Sequence, residues 1–173
     1  MKTGLKLTAC ALVVAAYIAL LVLWPYSDIA FLPGLLVCNF LASLVHELGH
    51  LAAYGLLKLK WKRMVVSFFV FEAGTGFRFD GSRGIFEASC TCAYDSRIPL
   101  RRYNLALLSG GIAGILLGIG AGSLSFAATG GAAAFLEHLA LVNLVHGAVN
   151  LLLPFSADRV LMRQLREASQ ENS

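Results

Sequence analysis

IAFLPGLLVCNFLASLVHELGHLAAYGLL, residues 29–57, is an apolar run broken by three ionisable side chains within five positions, His46, Glu47 and His50. About 20 apolar residues in a helix cross the hydrocarbon core of a bilayer, so the run is long enough to span. On that helix, residues four apart lie about 40° from one another, and both imidazoles leave from one face. Glu47 lies about 60° round from His50. Burying such groups costs about 2.5 kcal/mol or more for each charge at mid-helix, so something must compensate. A divalent metal does so directly: two histidines in the order HExxH bind it, and the adjacent glutamate handles the proton of a water. A polar contact between helices is the bland alternative, and it has no need of this residue order.

Composition sets the same scene. Of 173 residues, 58% are hydrophobic and 14% charged, against about 45–50% and about 25% in soluble domains. A disordered chain is excluded, and a soluble enzyme is not expected. Three more apolar runs, about 7–24, 103–128 and 132–154, join 29–57 to predict four transmembrane helices. Trp24-Pro25-Tyr26 closes the first as an aromatic belt. Between the second and third lies a β segment, about 64–97. Met64 to Phe71 reads as a strand, and Asp80-Gly81-Ser82-Arg83-Gly84 reads as the turn of a hairpin joining 77–79 to 85–90. The fold class is therefore a mainly α membrane protein with a small sheet at the membrane surface, in one membrane-embedded domain over 1–173. After the last span comes a short amphipathic turn or helix carrying Arg163 and Arg166.

Every one of the 14 Lys and Arg falls in 1–6, 58–102 or 155–173. This positive-inside pattern predicts a multi-pass protein with both termini and the sheet on the cytoplasmic side. The net charge of +4 is thereby accounted for by the bilayer, and no nucleic-acid partner is expected. Cys10, Cys38, Cys90 and Cys92 form no disulfide framework. Gly110, Gly114, Gly118 and Gly122 recur every fourth residue, a stripe expected to admit a neighbouring helix closely.

A catalytic metal needs a third protein ligand and an open position. Asp158, His146, His138 and Glu137 are the candidates. His50 lies roughly 12 Å from the cytoplasmic end of its span at 1.5 Å per residue. Asp158 follows the last span on that side, whereas Glu137 and His138 belong near the opposite surface. Asn143, His146 and Asn150 share a face of the last span at spacings of three and four. Asn150, nearest the expected metal depth, is placed to orient a substrate backbone or stabilise an oxyanion.

These residues resemble the site-2 protease family of intramembrane zinc metalloproteases. The resemblance rests on His46 to His50 in a membrane helix, Ser109-Gly110-Gly111-Ile112-Ala113-Gly114 opening a later one, and Asn150…Pro154…Asp158. It covers about residues 35–160. It implies Zn2+ held by His46, His50 and Asp158, with Glu47 as general base. The implied reaction is hydrolysis of a peptide bond in, or at the cytoplasmic edge of, a membrane-inserted protein or peptide. Arg159 stands where the family's motif has glycine, and Pro154 stands one place late relative to Asn150. A catalytically inactive membrane scaffold or binding protein with the same fold is the alternative. Metal transport ranks last, because it asks for binding positions at several depths.

Overall fold

The computed structural model describes residues 31–84, 86–153 and 156–171. The first apolar run, 7–24, and Pro154 lie outside them. The elements run α1 (Phe31–Leu56), β1 (Trp61–Val66), β2 (Phe69–Glu72), β3 (Gly76–Phe79), β4 (Ala88–Cys92), α2 (Leu100–Ser125), α3 (Gly130–Leu152) and α4 (Ala157–Glu171). Three helical stretches, beginning at Gly34, Leu100 and Gly130, are long and apolar enough to cross a membrane. The protein is thus mostly helical, with one four-stranded antiparallel sheet between α1 and α2. α2 begins at Leu100 rather than Tyr103 because Pro99, with φ already at −55°, precedes its first turn. The short segment carrying Arg163 and Arg166 is the helix α4.

The sheet differs from the expectation in two places. Met64 to Phe71 is not one strand. Ser67 takes a positive φ of 53°, and the chain doubles back so that Val66 pairs with Phe69. Nor does Asp80–Gly84 join a hairpin. The strand order is β3-β2-β1-β4, so this loop carries the chain from one edge of the sheet to the other. The turn before β3 is made instead by Gly74 and Gly76, whose φ values of 92° and 87° suit a residue without Cβ. Asp80 holds the loop's own shape, accepting from the Ser82 hydroxyl at 2.6 Å and from Arg78 at 3.2 Å.

Two apolar clusters hold the helices. One joins the end of α1 to the sheet and the start of α2 through Ala53, Tyr54, Met64, Val66, Cys90, Tyr103 and Ala106. The other lies towards the far ends, around Cys38, Ala42, Ala121, Leu139, Ala140 and Val142. Between them α1 and α2 touch closely. The Ser109 hydroxyl donates to the Gly49 carbonyl at 2.9 Å, and a Cβ on Gly49 would stand 2.8 Å from the Ser109 carbonyl oxygen. α2 and α3 meet at Gly147, where a Cβ would lie 2.7 Å from the Gly111 carbonyl oxygen.

Candidate metal centre

His46 and His50 project from one face of α1, and Asp158, in the first turn of α4, reaches both. His46 Nε2 lies 3.2 Å from Asp158 Oδ2, His50 Nε2 lies 3.3 Å from Asp158 Oδ1, and the two Nε2 atoms are 3.1 Å apart. All three residues are buried, and together they form a group able to hold a metal ion. Ligands about 2.0–2.1 Å from a tetrahedral ion stand about 3.3–3.4 Å from one another, close to these separations. Apposing two imidazole nitrogens and a carboxylate in a buried site is costly unless a proton or a cation lies among them. The donor set fits zinc, and also suits ferrous iron.

The surroundings orient the donors. His50 Nδ1 lies 2.8 Å from the Ala106 carbonyl oxygen. A carbonyl only accepts, so Nδ1 carries the hydrogen, and the Nε2 lone pair of the neutral ring faces the cluster. Gly110 closes the other side: a Cβ there would lie 2.5 Å from His50 Nε2 and 2.8 Å from His46 Nε2. Any side chain at position 110 would occupy the space where the donors converge. Glu47 is buried beside them, and its Oε2 has no hydrogen-bond partner among the described residues. It lies near the sheet. Burial first, and then the Glu47 charge, push the Cys90 thiol up to about 12.

Tyr54, one turn beyond His50, links the cluster to β4. Its ring stacks on His50 at 6.4 Å between centroids, and its hydroxyl donates to the Cys90 carbonyl at 3.1 Å. Ser67 N–H bonds the Glu87 carbonyl across β1 and β4. By antiparallel alternation, the N–H and C=O groups of Ala88 and Cys90 therefore point to the outer edge of the sheet. β4 is an edge strand, and this edge has no strand partner among the described residues.

Of the four candidates for a third ligand, Asp158 is the one brought against both histidines. The His146 ring packs 5.0 Å from that of His46 and is not part of the donor group. His138 Nδ1 engages the Ala134 carbonyl of its own helix at 2.7 Å. The Asn150 amide donates one of its two N–H groups one turn back to the His146 carbonyl at 3.1 Å, within α3. Arg159 also turns away from the donors, its Nε donating to the Leu151 carbonyl at 2.9 Å.

No family model, curated protein or solved structure matches the chain.

Sequence reading overlooked Tyr54, Cys90, Ala106 and the special place of Gly110. Tyr54 had a signal, since it continues the His46, His50 face by one more step of four. The Ala106 carbonyl has none, because any residue type supplies one.

Proposed function

We propose that this protein is an intramembrane zinc metalloprotease of the site-2 type, cleaving a membrane-inserted protein or peptide in the bilayer or at its cytoplasmic edge. In this reading both termini and the sheet face the cytoplasm. The observation that carries the proposal is the convergence of Asp158, more than a hundred residues distant in the chain, on both histidines of HExxH, with a Glu47 oxygen beside them that has no partner among the described residues. Polar packing does not call for that combination; hydrolysis does.

His46, His50 and Asp158 would hold the ion. When bound, zinc supplies Lewis acidity toward a carbonyl oxygen and toward water. Glu47 takes the proton of the attacking water and later delivers it to the leaving amine. Ala106 keeps the His50 tautomer fixed, and Gly110 keeps the space open. Asn150 keeps a second N–H and its Oδ1 with which to orient the substrate.

A helical substrate hides its carbonyls in its own hydrogen bonds and must unwind to be cut. The outer edge of β4, tied to His50 through Tyr54, offers an extended strand partner beside the donors. Ala88→Pro tests this, because the lost N–H points outward and the ladder to β1 is spared. Cleavage of a helical membrane substrate should fall about tenfold or more with metal content unchanged; wild-type cleavage would remove the strand edge from the mechanism.

The central test uses the full chain purified in detergent. Wild type should carry one zinc per chain and cut a membrane-inserted reporter. Glu47→Gln should keep the metal and lose at least about 100-fold in rate, the scale of general-base catalysis. His46→Ala should lose both. Cleavage by Glu47→Gln at the wild-type rate would exclude Glu47 as base. A wild type that binds no divalent metal would leave the inactive scaffold as the better reading.

A further inference from the structure

We infer that Arg159 is a positioning residue that fixes Asp158 for metal binding by gripping the end of α3. The inference rests on the metal-centre reading above. α3 ends at Leu152, and a helix end leaves its last four carbonyls without partners in the helix. Two of them are taken by residues on either side of Asp158. The Asn150 carbonyl accepts from the Ser156 hydroxyl at 3.1 Å. The Leu151 carbonyl accepts from Arg159 Nε at 2.9 Å and from Arg159 Nη2 as well.

The consequence for Asp158 is geometric. It sits in the first turn of α4, immediately before Arg159, and its carboxylate must meet two imidazoles fixed on α1. Turning α4 by one residue's worth, about 100°, would swing the carboxylate away. A planar guanidinium placing two N–H groups on one carbonyl resists that turn better than a single contact does. Its charge also sits at the negative end of α3. The half-buried Arg159 is therefore spent on α3 and not on solvent.

A cap that merely steadies the helix pair makes a different prediction, and metal binding separates the two. Metal-free full-length protein in detergent is titrated with Zn2+ against a chelator and with Co2+ by visible absorption. Arg159→Ala should weaken Zn2+ binding about 10–100-fold, the usual effect of losing a partner that orients a ligand. It should also change the shape of the Co2+ bands. Arg159→Lys, which keeps a charged donor with one prong, should recover most of the affinity. Zn2+ affinity within twofold of wild type in Arg159→Ala, with unchanged Co2+ bands, overturns the inference even if the metal-free protein melts earlier. Should Arg159→Ala fail to fold, Arg159→Gln takes its place under the same criterion. A wild type that binds neither ion overturns the metal-centre reading and this inference with it, an outcome distinct from equal affinities in wild type and variant.

Discussion

Gly110 and Gly122 belong to the same every-fourth-residue stripe of α2, yet they meet different neighbours. A Cβ on Gly110 would run into both donor imidazoles of α1, whereas one on Gly122 would rest 3.6 Å from the Ala140 side chain of α3. The reason is the pitch of the helix. Four residues advance about 400°, so each step of the stripe drifts about 40°, and three steps turn it about 120°. Gly114 and Gly118 fall between, facing Asn143, Gly147, Ala140 and Leu144 of α3. One spacing thus serves two purposes. The end of the stripe near the sheet leaves room for a metal, and the other end lets two helices close on each other.

Substituting along the stripe breaks or sharpens this contrast. Gly110→Ala should have the largest effect. It should abolish zinc binding and cleavage together while the helices still form, as read by metal content and circular dichroism. Retained metal in that variant would mean that the donors do not converge where Gly110 faces them. Gly118→Ala should act on stability alone. Its Cβ would stand 3.0 Å from the Ala140 carbonyl oxygen and 2.7 Å from Leu144 Cγ, and such overpacking costs about 1–3 kcal/mol. A lower melting temperature with wild-type metal affinity is the expected pair of results. Gly122→Ala should be the mildest, neutral or stabilising by up to about 1 kcal/mol, since alanine favours the helix and the contact is ordinary.

Much of the site was legible because its chemistry is written in residue order. HExxH within an apolar run needs no tertiary information; the depth of His50 against the end of the last span favoured Asp158 over Glu137 and His138, and the resemblance to the site-2 protease motif pointed to it as third ligand. The stripe was read as one face because a four-residue spacing looks regular on paper; the helical drift separates Gly110 from the rest. The sheet was harder to read. Ser67-Phe68 turns the chain without glycine or asparagine, so Met64 to Phe71 looks like continuous strand, and only pairing across β1 and β2 reveals the bend. The Gly74 and Gly76 turn was outweighed by the stronger glycine and aspartate signal at Asp80–Gly84, whose function is to cross the sheet. The Ala106 carbonyl gains meaning only from what it touches.

The order in which the donors are made has a consequence for biosynthesis. Two imidazoles leave the ribosome early, and the carboxylate that completes their grip arrives after the last span has been made. On the proposed reading, a nascent chain inserting beside other newly made membrane proteins is harmless until Asp158 has followed His50 out, more than a hundred residues later. On that reading, latency is written into the sequence separation between the ligands.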